Sequence, residues 1–219
     1  MPPASFESRA SSAAAVASLL QGTSQLWRGR DIAPIAARST GFPQLDRLLP
    51  GHGWPVGGLI ELIAGCEGIG ELSLPMPVLR ELCAQDFPAA FISPPHIPYA
   101  PALKRAGLPL SRLLWIDAAC DDDARWAAEQ MLRAGGVGAI LLWSETHENR
   151  ALRRLQLAAE TGRALAFVYR SPKYQAHASP AALRLVLEAS PRGLAVDVIK
   201  ARGGLTGRVL LDAVRICPE

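Results

Sequence analysis

The sequence has little with which to hold a metal or a cross-link. Its four cysteines, Cys66, Cys83, Cys120 and Cys217, are far apart and form no CxxC pair, and its four histidines are equally scattered. Zinc-ligand spacings and a disulfide framework are therefore not expected. Long apolar runs are also missing: none reaches the roughly 18–20 residues that a bilayer span requires. The opening stretch MPPASFESRASSAAAVASLL lacks the basic start and compact apolar core of a secretory signal, and Glu7 is wrongly placed for one. These absences lead to the expectation of a cytoplasmic protein with no membrane contact and no metal. What is present is a chain of 219 residues, 49% hydrophobic and 20% charged. That is enough for one domain with a substantial core and a modest extension.

The net charge of +3 is unevenly placed. Residues 39–169 carry a net −3, whereas residues 170–208 carry +5 through Arg170, Lys173, Arg184, Arg192, Lys200, Arg202 and Arg208 against two acids. A basic C-terminal third suits a polyanion or an acidic partner, and it equally suits a solvated strand face.

Along the chain, residues 1–38 read as an extension rich in Ala and Ser, with a helix over Ala13–Leu20 and anchors at Leu26, Trp27 and Ile32. The ordered domain is expected over residues 39–219, opening with a short helix over Phe42–Leu49. Apolar runs then alternate with helical patterns. Strands are expected at Leu59–Ala64, Ala89–Ile92, Leu113–Ile116, Val137–Trp143 and Ala164–Tyr169. Helices are expected at Leu72–Ala84, Tyr99–Ala106, Asp121–Arg133 and His147–Glu160, the first with Pro75 and Pro77 in its opening turns. Strands without a polar face, separated by helices, predict an α/β domain with a mostly parallel sheet covered on both sides. The tail differs: Ala182–Ala189, Ala195–Lys200 and Val209–Leu211 read as strands on short connections, an antiparallel extension.

The stretch from Leu59 to Leu72, LIELIAGCEGIGEL, has the layout of strand, glycine loop and helix. A working phosphate loop reads G-x-x-x-x-G-K-[ST]. Gly65 and Gly70 have that spacing, with Gly68 between them, but Glu71 and Leu72 stand where the lysine and the hydroxyl belong. The lysine neutralises the β- and γ-phosphates and the hydroxyl binds magnesium. A carboxylate there reverses the sign. At an effective dielectric near 20, each unit charge is worth roughly 3–4 kcal/mol, so the swing against a phosphate approaches about 7 kcal/mol. Glu71 is expected to begin the following helix, where an anion is stabilised, and to occupy the place a phosphate would take.

Ser39-Thr40-Gly41-Phe42-Pro43-Gln44-Leu45-Asp46-Arg47-Leu48-Leu49, followed by Gly53-Trp54-Pro55-Val56-Gly57-Gly58-Leu59-Ile60-Glu61-Leu62, resembles the opening of the RecA core, S-T-G-x-x-x-L-D-x-x-L and then G-G-[LIF]-P-x-G-x-[IL]-x-E-[IL]. The strand pattern continues the resemblance over roughly residues 39–212. It is most similar to the ImuA branch of the RecA/SulA superfamily, short RecA-like proteins associated with bacterial translesion DNA synthesis. The tail VIKARGG, Val198–Gly204, is similar to the basic strand and turn of that branch. The resemblance implies a RecA-like fold. It also places Pro95 where RecA-family ATPases carry a catalytic glutamate, and Trp143 where they carry the magnesium-organising aspartate. With lysine, Ser/Thr, glutamate and aspartate all replaced, no hydrolysis and no nucleotide cofactor are expected.

What the resemblance implies instead is binding. The expected role is that of an adaptor in DNA-damage-induced (SOS) mutagenesis, with the polymerase-like protein ImuB, an error-prone polymerase and RecA as partners. A divergent ATPase using Glu67 or Asp117 is a second reading, and a SulA-like cell-division inhibitor a third. In RecA-like proteins DNA-binding loops follow the later strands. The matching segment, Tyr169–His177, interleaves basic and aromatic groups, so Arg170, Lys173 and Tyr174 are candidates for DNA or partner contact, with Lys200 and Arg202 as a second patch. An ordinary polar connection remains the alternative there. The N-terminal segment would either dock on a second copy, allowing self-association, or fold back.

Overall fold

The computed structural model describes residues 35–212. The expected helix over Ala13–Leu20, its anchors, and Cys217 lie outside the described residues. The compact unit starting at Ala36 holds every element discussed below.

Strand β1 (Ala37–Arg38) pairs antiparallel with β2 (Trp54–Pro55), so the folded unit takes in residues assigned to the extension by sequence. Between them, helix α1 (Pro43–Asp46) is held by a short polar circuit. Ser39 Oγ donates to Asp46 Oδ2 at 2.7 Å, and the Thr40 amide donates to Asp46 Oδ1 at 2.9 Å. The Ser-Thr-Gly…Leu-Asp pattern thus closes on itself, and Leu45 is driven fully into the core.

The remaining strands are β3 (Leu59–Ala64), β4 (Ala89–Ile92), β5 (Leu113–Ile116), β6 (Ala139–Trp143), β7 (Leu165–Arg170), β8 (Leu183–Ser190), β9 (Gly193–Ala201) and β10 (Gly207–Asp212). They form one sheet in the order β10-β9-β8-β3-β7-β6-β4-β5. From β8 to β5 all pairings are parallel, and β9 and β10 add on antiparallel. The fold is α/β, with a mostly parallel sheet flanked by helices and an antiparallel C-terminal extension.

Helices α2 (Met76–Ala84) and α3 (Ala100–Arg105) lie over one face of the sheet, and α4 (Asp121–Ala134) and α5 (Asn149–Gly162) over the other. The two-residue alternation of the strands assigns side chains to these layers. Ile60, Leu62, Phe91, Leu141 and Phe167 belong to the first core, and Leu59, Ala90, Ile140 and Val168 to the second. On α5, Leu152, Leu155 and Ala159 supply the buried stripe that their spacing predicts. Gln156 on the same helix is buried and fixes the start of β3: the Leu59 amide donates to its Oε1 at 2.9 Å, and its Nε2 donates to the Gly57 carbonyl at 3.2 Å.

One boundary departs from expectation. The helix predicted from Leu72 begins only at Met76, and Glu71–Ser73 form a single 3-10 turn. Proline nitrogens at 75 and 77 have no hydrogen to give the carbonyls four residues back, those of Glu71 and Ser73. The Glu71 carbonyl instead accepts from the Tyr169 hydroxyl at 3.4 Å.

Candidate functional site

The carboxyl ends of parallel strands, where the connecting loops leave the sheet, are where open α/β folds place their ligands. Here they surround a cavity of about 600 Å³, walled by the loop after β3 together with the ends of β4, β6 and β7. Glu71, Pro95 and Trp143, singled out separately from sequence, all line it, and so do Gly65 and Glu67. Leu72 instead packs against the core of the α2 face.

The glycine loop is closed by its own side chain. Gly68 and Gly70 take left-handed backbone angles, φ +77° and +96°, which glycine adopts without strain. This turn brings the Gly68 amide to Glu71, where it donates to Oε1 at 3.1 Å. Glu71 begins a three-residue 3-10 turn and not the expected helix, so no helix dipole holds it there. Its other oxygen, Oε2, is buried without a partner.

At the end of β6, Trp143 stacks on Tyr169 of β7, its partner in the sheet register, with centroids 4.5 Å apart; Phe91 of β4 lies on its other side at 6.3 Å. Burial pushes the Tyr169 phenol well above its ordinary value, and the nearby Glu71 carboxylate pushes it further. Both effects disfavour a second negative charge at this wall. Ser93, at the end of β4, is held at φ +48° by a hydrogen bond from its amide to the Ile116 carbonyl at 2.8 Å and a hydroxyl that accepts from the Ala118 amide at 3.3 Å.

Several other carboxylates at the cavity are engaged. Glu67 pairs with His96 at 2.7 Å, Asp121 with Arg125, and Glu145 with Lys173 at 2.7 Å. Glu145 also accepts from the Ser171 amide and hydroxyl, each at 3.0 Å. Burial raises its pKa, but these bonds and the Lys173 charge outweigh it and hold the group below the ordinary carboxylate value. Asp117 is exposed and is not part of the lining. Among the described residues, no group of three His, Cys, Asp or Glu side chains is arranged to hold a metal ion, and no helix is long and apolar enough to cross a membrane.

Of the residues expected to meet DNA or a partner, two are interior. Arg170 is 5% exposed and Tyr174 5% exposed, with the Arg170 guanidinium 4.0 Å over the Tyr174 ring. Neither offers a free charge or ring face for phosphate contact or base stacking, because both are consumed by the fold. Lys173 is exposed but tied to Glu145. Lys200 donates to the Ser179 carbonyl at 2.6 Å, and burial with the neighbouring Arg202 and Arg184 charges lowers its pKa. Arg202 is exposed and donates to the Pro180 carbonyl at 3.1 Å.

Sequence reading missed what Arg170 is for. Glu61, in the middle of β3, is fully buried, and its Oε2 accepts from Arg184 Nε at 2.9 Å. Its Oε1 lies 3.5 Å from Arg170 Nη1 and accepts from the Ser179 hydroxyl. Arg184 donates further to the Tyr174 and Gln175 carbonyls at 2.8 and 3.2 Å. The network pins the loop after β7 onto the sheet. A carboxylate inside the apolar run LIELIA was the available signal, since a buried charge demands a partner.

No protein-family model matches the chain. Two curated proteins named ImuA, from two strains of Caulobacter vibrioides, are each 31% identical to it over 132 residues, which is 58% of this chain and 54% of the relative. The chain thus spans about half the length of the curated relatives it matches. A crystal structure of SulA from Pseudomonas aeruginosa aligns with 51% of this chain and 97% of its own, at 28% identity and a TM-score of 0.43. The resemblance to the ImuA branch noted in the sequence is therefore met again when the chain is compared with curated proteins directly.

Proposed function

We propose that this protein is a non-catalytic, RecA-like adaptor in DNA-damage-induced translesion synthesis, working in the cytoplasm by docking on ImuB, an error-prone polymerase or RecA. One observation carries the reading: the loop amide that a phosphate would take, that of Gly68, is taken by the Glu71 carboxylate. A nucleotide entering the cavity would displace that bond, meet an uncompensated negative charge, and find tryptophan where a metal-organising carboxylate is needed. The similarity to ImuA supplies the biological setting. The basic residues still facing solvent, Lys173 and Arg202, are the remaining candidates for contact with DNA or an acidic partner.

Titration of the purified protein with ATP and magnesium, followed calorimetrically, tests the reading. No heat of binding and no phosphate release are expected. Saturable micromolar binding would sink it and return the chain to the nucleotide-dependent proteins.

A further inference from the structure

A second groove, of about 250 Å³, borders the glycine loop and shares no lining residue with the cavity described above. It is walled by the segment Gly68–Gly70 together with the start of β9 and the end of β10. Phe42, Ile69, Leu74, Leu194 and Leu211 make it largely apolar, and Asp212 is the one charged residue of its described lining. Phe42 and Ile69 are only partly buried. Around Gly68 the space is open: chain neighbours apart, no described atom lies within 4 Å of where a side chain would start. The loop therefore has little packed against it on this side, and apolar surface is left for another group to cover.

Topology and sequence name that group. β10 ends at Asp212, whose register partner Gly193 is the first residue of β9, so β9 has nothing left for the following residues to pair with. The chain leaves the sheet at the groove itself, because Leu211 and Asp212 belong to its lining. Next in sequence come Ala213-Val214-Arg215-Ile216-Cys217-Pro218-Glu219. In an extended segment Val214 and Ile216 share one face and Arg215 takes the other. At about 3.3 Å per residue they come about 7 and 13 Å beyond Asp212, within the span of a groove that Asp212 itself borders. A connection this short costs little entropy to close, and it delivers two branched apolar side chains to an apolar lining.

We infer that residues 213–216 seat in this groove, with Val214 and Ile216 as the inserted side chains, and that the chain beyond β10 thereby straps the glycine loop to the C-terminal hairpin. The loop is then restrained twice, by the Glu71 carboxylate at the Gly68 amide and by the strap against Ile69. The strap is independent of whether the cavity takes nucleotide.

The experiment is disulfide trapping in the full chain. Ser73→Cys puts a thiol in the groove lining, Cys66→Ser and Cys120→Ser remove the exposed thiols, and Cys217 stays as the reporter. Ser111→Cys, beside β5 at the opposite edge of the sheet, replaces Ser73→Cys in the control. With oxidised glutathione, peptide mass spectrometry of the monomer is expected to find the link from position 73 to Cys217. It should form at least about tenfold faster than the link from position 111, since a held thiol meets its partner more often than one that sweeps freely. Ile216→Asp, with folding verified by its thermal melt, should remove most of that advantage. In hydrogen exchange the same substitution should speed the amides of residues 68–70 and leave those of β3 unchanged. Equal rates from the two positions, a link indifferent to Ile216→Asp, or unchanged exchange at residues 68–70 would overturn the proposal. A link found only between two molecules would overturn it as well, and would give the groove to a second copy of the chain.

Discussion

Trp143 of β6 lies face to face with Tyr169 of β7, their planes 6° from parallel. The pair closes the carboxyl end of the sheet beside the cavity. Trp143→Ala should open a gap between Phe91 and Tyr169 and lower stability by about 2–3 kcal/mol, less than for a fully buried tryptophan. Urea denaturation followed by circular dichroism would measure it. An unchanged midpoint would mean that the stack contributes nothing to the fold.

Glu71→Lys restores one residue of a phosphate loop and leaves Leu72, Pro95 and Trp143 in place. Phosphate release by this variant is expected to stay at background in a coupled ATPase assay. Turnover above background would show that the other replacements do not disable the site.

Glu61→Gln leaves two guanidiniums, Arg170 and Arg184, in the interior with no counter-charge. Breaking a buried pair in this way costs about 3–5 kcal/mol. The variant is expected either to unfold at far lower urea or to fail to accumulate, and a stability within 1 kcal/mol, roughly, of the parent would contradict the network's structural role.

Glu145 has a folded pKa below its ordinary value, so its contribution to stability is fully present above the unfolded pKa. It fades as pH falls through the folded one. The side chain is half exposed, and the effect is correspondingly small and screened by salt. Thermal melts between about pH 6 and pH 3 should show Glu145→Gln losing less stability on acidification than the parent. Parallel curves would exclude the carboxylate as the source.

Cys66 and Cys120 are exposed, whereas Cys83 is buried on α2 and burial pushes its thiol pKa up. Iodoacetamide should modify Cys66 and Cys120 in the folded protein and reach Cys83 only on unfolding, as read by peptide mass spectrometry. Early modification of Cys83 would show that α2 opens locally.

The strands were legible because burial on two faces leaves them little choice of residue: Leu59–Ala64 and Ala89–Ile92 fall where their apolar runs put them. The start of α2 was not, because the pattern of Leu72, Val78 and Leu79 carries no record of which amides are missing, and Pro75 and Pro77 decide the matter. At the cavity, Glu71, Pro95 and Trp143 were each singled out by position, and all three line it. The fate of Arg170 and Tyr174 was not. Interleaved basic and aromatic residues look alike whether they face solvent or a buried carboxylate, and only the return of the chain through Ser179 to Arg184 reveals that Glu61 claims Arg170, which in turn covers the Tyr174 ring.

The bond from the Gly68 amide to Glu71 joins groups three residues apart on one chain. A tethered group of this kind is always at hand, at an effective concentration in the millimolar range or above without any dependence on supply. Under the proposed adaptor function the loop would keep one shape whether the cell is rich or starved, and whatever docks beside it would meet the same surface in both conditions. A part that acts as a fuel gauge in nucleotide-driven proteins would here be a fixed fitting, made once when the chain folds.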